Sequence, residues 1–128
     1  MLTKDLNTLL KEANDIVKRL SYEESNLLIE NHKTVIIDVR EESEVYSQGI
    51  IKNAIHIPRG LIEFQLKPDS DKNPVSIDSE TNILVYCAGG YRSALAAKSL
   101  IDLGFKNVYN LGVFQELVES GGEIHANI

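Results

Sequence analysis

The sequence holds one cysteine, Cys87, so it cannot form an intramolecular disulfide. A lone free thiol suits a reducing compartment. Long apolar runs are also missing. The opening M-L-T-K-D-L-N-T-L-L-K-E-A alternates charge with leucine, and it contains neither the apolar stretch of a secretory signal nor a membrane span. The cytoplasm is the expected location. Positive charge is scarce: 13 Lys and Arg stand against 19 Asp and Glu, a formal charge of -6. This balance argues against nucleic-acid and anionic-membrane partners, which are usually met by a basic face. No internal repeat, low-complexity tract or domain linker breaks the chain. His32 and His125 lack partners at ligand spacing, so no metal site and no cofactor are expected.

What remains is an ordinary globular composition over 128 residues, 43% hydrophobic and 25% charged. That length fits one domain and buries about two-thirds of its unfolded surface. Leu2, Leu6, Leu9, Leu10, Ala13, Ile16, Val17 and Leu20 recur at helical steps and predict a helix over residues 2–20. This reads as an N-terminal extension (1–20) ahead of the main domain (21–128). Ser21 opens a capping box with Glu24, predicting a second helix over 22–30.

The period then changes. T-V-I-I-D-V-R (34–40) is nearly continuous in β-branched residues, as in a strand covered on both faces. Residues 41–48 favour a helix that Gly49 ends. A-I-H-I-P (54–58) is a short strand closed by proline. A short helix follows at 61–66, and 67–82 is a turn-rich surface loop. Residues 83–86 are a buried strand, 92–103 a helix, 108–110 a strand and 114–119 a final helix. Strands alternating with helices predict an α/β fold with a mostly parallel sheet and helices on both faces. Ligands of such sheets bind beyond the carboxyl ends of the strands. Asp38 and Arg40, His56 and Arg59, and Cys87 all fall at strand ends of that kind.

One stretch carries chemistry: I-L-V-Y-C-A-G-G-Y-R-S, residues 83–93. A thiol at a strand end, followed by a short loop and a helix, faces the free N–H groups of the first helical turn. Two glycines let the loop curl so that its amides converge on an anion. Arg92 adds a cation with a planar fork of donors. Each feature favours thiolate, and helix ends with cationic neighbours lower a cysteine pKa from about 8.5 to about 3.5–7.5. The same cradle would hold a small anionic substrate against a sulfur that is open to it. Taken singly, the cysteine is a small core residue, the glycines a turn, and Arg92 a solvated side chain. Their combination at a strand-to-helix junction is what points to reactivity.

The chain resembles the rhodanese-like sulfurtransferases from about residue 21 to 122. I-I-D-V-R-E-E-S-E-V-Y is similar to the family's first block and G-I-I-K-N-A-I-H-I-P to its second. The stretch C-A-G-G-Y-R-S-A-L-A-A-K-S-L-I-D-L-G-F-K-N-V-Y-N-L-G-V-F-Q-E-L resembles its active-site loop and following helices. The second block departs in having Gly49-Ile50-Ile51 where the family often has G-H-I. The last departs in Gly112-Val113-Phe114-Gln115-Glu116-Leu117 where the family often has G-G-F-x-A-W.

The resemblance implies a three-layer rhodanese-like fold and a sulfur transfer through a Cys87 persulfide. The donor would be thiosulfate or a persulfide, and the acceptor cyanide, a thiol or a sulfur-relay protein. It implies that the amides of Ala88, Gly89, Gly90, Tyr91, Arg92 and Ser93 hold the persulfide, with Arg92 on the donor's sulfonate. Tyr91 either lines the mouth or is simply exposed. Ser93 either bonds within the loop or caps the helix. Asp38 and Arg40 resemble the family's supporting pair, with a structural salt bridge as the alternative. Arg59 either adds charge to the pocket or serves the surface. His56 reads as a structural residue, since a thiolate needs no base.

Two other readings stand beside the enzyme. One is a persulfide carrier or regulatory module of the same family. The other is a cysteine phosphatase, whose loops place five residues between cysteine and arginine where A-G-G-Y supplies four.

Overall fold

The computed structural model describes residues 3–67 and 77–126. Its elements run α1 (Leu6–Ile16), β1 (Lys18–Arg19), α2 (Tyr22–Asn31), β2 (Thr34–Asp38), α3 (Glu42–Gln48), β3 (Ile50–Ile51) and β4 (Ala54–His56). A 3-10 turn (Arg59–Leu61) leads into α4 (Ile62–Gln65), β5 (Asn82–Cys87), α5 (Tyr91–Asp102), β6 (Asn107–Val113), α6 (Phe114–Glu119) and β7 (Ile124–His125). Five strands form the central sheet in the order β1-β6-β5-β2-β4, and every neighbouring pair is parallel. β3 and β7 form a small antiparallel pair beside it. The fold is the α/β arrangement expected from the alternation of strands and helices.

The two-residue period of the strands divides the core. Ile37, Ile83, Val85 and Cys87 point to one face, where Val17, Ile62, Ala96, Ala97 and Leu100 cover them. Ile36, Leu84 and Tyr86 point to the other, against Leu20, Leu111, Phe114 and Leu117. α5 contributes Leu100, fully buried; a leucine so placed stabilises by roughly 1.5–3 kcal/mol relative to exposure. The Ser21 capping box forms as the sequence predicts. Glu24 N–H donates to Ser21 Oγ at 3.1 Å, and Ser21 N–H donates to Glu24 Oε1 at 2.9 Å.

The N-terminal helix is shorter than predicted. It ends at Ile16; Val17 is extended (φ -92°, ψ 122°), with its N–H still bonded to Ala13. Lys18 and Arg19 then pair in parallel with Tyr109 and Asn110 as an edge strand of the main sheet. Tertiary pairing at this edge overrides the helical spacing, and α1 packs on α5. The segment before Ser21 is thus part of the sheet and its covering layer. β3 and β7 also form where no strand is predicted. Most of the loop predicted over 67–82 falls on residues 68–76, outside the described residues. Among the described residues, no helix is long and apolar enough to cross a membrane.

A buried ion pair locks the end of β2. Asp38 and Arg40 are both 0% exposed. Arg40 Nε and Nη2 donate to Asp38 at 3.0 and 2.7 Å, Nη2 also donates to Gly49 O at 2.7 Å, and Nη1 donates to Gln48 Oε1 at 2.9 Å. The guanidinium lies 4.0 Å from the Phe114 ring centroid. Burial works against the Arg40 charge, but the Asp38 hydrogen bonds and charge, with Tyr86 and Glu44, together hold the pKa above its ordinary value. Asp38→Ala leaves a buried cation without its partner. It should cost about 3–5 kcal/mol in urea unfolding; a loss below about 1 kcal/mol would contradict this account.

Candidate active site

Cys87 is the last residue of β5, and its sulfur takes the place of a helix cap. Gly90, the N-cap of α5, has no side chain to accept the first-turn N–H groups. Cys87 Sγ accepts them instead, from Gly90 N–H at 3.1 Å and Ser93 N–H at 3.4 Å. Gly90 adopts φ +83°, a conformation that favours glycine and that turns the chain tightly enough to aim both amides at one atom. α5 has 12 residues, so its dipole is fully developed and favours negative charge at the sulfur.

Behind the loop stands Asn110, 2% exposed on β6. Its Oδ1 accepts Ser93 Oγ–H at 2.7 Å and Gly112 N–H at 2.8 Å, while its Nδ2 donates to Gly90 O at 3.1 Å. The register of β6 against β5 slips here, from Val85 opposite Asn110 to Tyr86 opposite Gly112. Gly112 takes φ +88° at the irregularity. The orientation of the carboxamide follows from its partners. Oδ1 receives two donors, so the one Ser93 hydroxyl hydrogen points at Asn110. The 3.4 Å contact between Cys87 Sγ and Ser93 Oγ is then filled, in the thiol form, by S–H donating to the hydroxyl.

Of the loop residues singled out by sequence, Gly90 and Ser93 touch the sulfur. Ser93 does so by both amide and hydroxyl, serving the loop and the helix start at once. Ala88 and Gly89 are exposed. Tyr91 is 65% exposed and its ring lies over Gly89, within 3.3 Å of where a β-carbon there would stand. It lines the rim. The sequence reading expects an open sulfur, and the structure corrects this: Cys87 is 1% exposed, closed in by its own loop and the α5 side of the core.

Arg92 does not point its charge at the sulfur's pocket as a free cation. Its Nη1 and Nη2 donate to Glu44 Oε1 and Oε2 at 2.6 and 2.9 Å. Glu44 Oε1 also accepts Glu41 N–H at 2.9 Å at the start of α3. The Arg92 hydrogen bonds hold the Glu44 carboxyl down at about 2. Arg59 is likewise engaged, with Glu63 at 3.0 Å and Ser99 Oγ at 3.3 Å. Asp38 and Arg40 sit on the sheet face opposite Cys87, with Tyr86 and Phe114. They secure the strand end and, among the described residues, form no hydrogen bond or ion pair with residues 88–93. His56 Nε2 bonds Arg40 O at 2.7 Å, a structural role. Asn110 is the residue bonded to the cysteine loop that sequence reasoning passes over. Its signal is an asparagine inside a strand, two residues before a glycine, where β-formers are the rule.

The site is thus a cysteine met by helix amides at the carboxyl end of a parallel sheet. The chain belongs to the Rhodanese-like domain family, whose model matches residues 21–116. It is similar over 98% of its length to a solved structure from Rhodopseudomonas palustris CGA009. That protein is described as of unknown function and a possible tyrosine phosphatase (32% identity, 97% of that chain, TM-score 0.84). A thiosulfate sulfurtransferase from Pseudomonas aeruginosa superposes with a TM-score of 0.75 at 25% identity, covering 95% of this chain and 23% of that one. A tRNA uridine(34) hydroxylase from Yersinia pestis (strain Pestoides F) is 35% identical over 92 residues, 72% of this chain. The chain spans about a quarter of the length of these hydroxylases, the match covering 25%.

Asn110→Ala removes three hydrogen bonds and strands buried groups at Ser93, Gly90 and Gly112. It should lower unfolding stability by about 2–3 kcal/mol. Glu44 gives a pH signature. Its folded pKa, about 2, lies below the ordinary carboxylate value of 4.5. Its contribution is therefore full above about 4.5 and lost as pH falls towards about 2. Glu44→Gln should flatten that part of the stability–pH curve, a change on the order of 1 kcal/mol after solvent screening; identical curves for the two proteins would rule the pair out.

Proposed function

We propose that the protein is a sulfurtransferase that carries sulfane sulfur on Cys87. The observation that carries this reading is the pair of amides, from Gly90 and Ser93, that meet Cys87 Sγ at the start of α5. They stabilise a negative sulfur without any neighbouring base, which is what a nucleophilic thiolate needs. The thiolate attacks the outer sulfur of a donor such as thiosulfate. A new S–S bond forms at Sγ, the donor's S–S bond breaks, and its electron pair leaves with sulfite. The amides of Ala88, Gly89, Tyr91 and Arg92 remain for the terminal sulfur of the persulfide. A second nucleophile, cyanide or a thiol, attacks that terminal sulfur, and the electron pair of the broken bond returns to Cys87. The similarity to the Pseudomonas thiosulfate sulfurtransferase supports the same chemistry.

A sulfur carrier that hands its persulfide to a relay protein uses the same first half of this cycle. A phosphatase does not suit the loop as well. Four residues, Ala88 to Tyr91, separate Cys87 from Arg92, and the Arg92 fork is filled by Glu44 instead of standing open to a phosphate. The hydroxylation named for the Yersinia proteins belongs to chains of which a quarter is matched.

Wild-type protein should form thiocyanate from thiosulfate and cyanide and show a one-sulfur mass gain on Cys87 after thiosulfate alone. Cys87→Ser should lose both. Persulfide formation without turnover would assign a carrier, whereas phosphate release from an aryl phosphate in preference to thiocyanate would replace the proposal with a phosphatase.

A further inference from the structure

The chain has four arginines, and three are already paired: Arg40 with Asp38, Arg59 with Glu63 and Arg92 with Glu44. Arg19 is the fourth. It is exposed, and no described residue gives its guanidinium an ion pair or hydrogen bond. Its position is specific. β1 places it opposite Asn110, and Leu20 N–H donates to Asn110 O at 3.1 Å, fixing the strand beside the residue that holds the cysteine loop. The guanidinium lies across Gly112 and reaches Gly90. A β-carbon at Gly112 would stand 2.5 Å from Arg19 Cζ, and one at Gly90 would stand 3.5 Å from Arg19 Nη1. Gly90 is the residue whose N–H bonds the sulfur. A single glycine therefore separates the free guanidinium from the nucleophile, and the absence of side chains at 90 and 112 lets it come so close. Glu23, Glu24 and Glu116 border the same cleft as Arg19 but form no ion pair with it.

We propose that Arg19 recognises the anionic end of the sulfur donor, the task that the sequence pattern points to in Arg92. This rests on the sulfurtransferase reading for the identity of the donor. The recognition itself is that of a small oxyanion by a planar fork of donors. With the sulfane sulfur aimed at Cys87, the donor's sulfonate extends outward past the loop. A long, unpaired arginine on an edge strand can swing to meet it without breaking another contact. Arg19 precedes the matched span of residues 21–116, so this cation is contributed by the N-terminal extension.

The test is a thiosulfate titration of Cys87→Ser protein followed through the Gly90 and Gly112 amide resonances, repeated with Arg19→Gln and Arg19→Lys added. Arg19→Gln should weaken thiosulfate binding at least about fivefold, and Arg19→Lys should keep most of the affinity. Steady-state assays of the Arg19→Gln single variant should show the loss in KM with kcat near wild type. An unchanged dissociation constant in Arg19→Gln, or no thiosulfate binding by the Cys87→Ser protein, overturns the proposal. The binding arm contains no thiol and is independent of turnover. Thiosulfate bound through Arg19 by a protein that makes no thiocyanate would remove the sulfurtransferase reading and keep the anion site. Turnover with Arg19-independent binding would do the reverse.

Discussion

The Asn110 carboxamide ties the β6 irregularity to the cysteine loop and the start of α5, a segment 17 to 20 residues earlier in the chain. It takes the Ser93 hydroxyl from α5, the Gly112 amide from the β6 irregularity, and gives a hydrogen bond to the Gly90 carbonyl in the cysteine loop. All of these groups are buried or nearly so, and an unmade hydrogen bond there is costly. The knot therefore has one satisfied arrangement, and that arrangement points the Gly90 and Ser93 amides at Cys87. The setting of the sulfur is held by a side chain with no hydrogen bond to it.

Strand alternation supplies the second constraint. Cys87 and the Asp38–Arg40 pair lie at the same carboxyl edge of the sheet but on opposite faces. One face carries the thiol and the helix whose amides meet it. The other carries a closed ionic clamp beneath an aromatic layer of Tyr86 and Phe114, stacked with centroids 6.0 Å apart. The clamp ties the end of β2 to Gly49, just before β3.

Much of this was legible in the sequence because it depends on local patterns. The β-branched runs mark β2 and β5, the Ser21–Glu24 spacing marks α2, and the thiol followed by two glycines marks the strand-to-helix junction. What was not legible depends on long-range pairing. Val17 to Arg19 continue a helical spacing, yet β6 captures them as a strand. Arg92 follows the loop as an anion-binding residue would, yet Glu44, 48 residues earlier in the chain, occupies its fork. Ile50–Ile51 pair with a segment near the end of the chain, a partner no local window contains. The openness of the sulfur also failed as a local inference, because the loop whose amides meet Cys87 is the loop that covers it.

The edge position of β1 has a consequence for self-association. An outermost strand offers unpaired backbone groups to any extended chain that passes. Here that strand is two residues long, and both are cationic and exposed. A second copy presenting the same edge would bring four like charges together, so charge works against pairing along this border of the sheet.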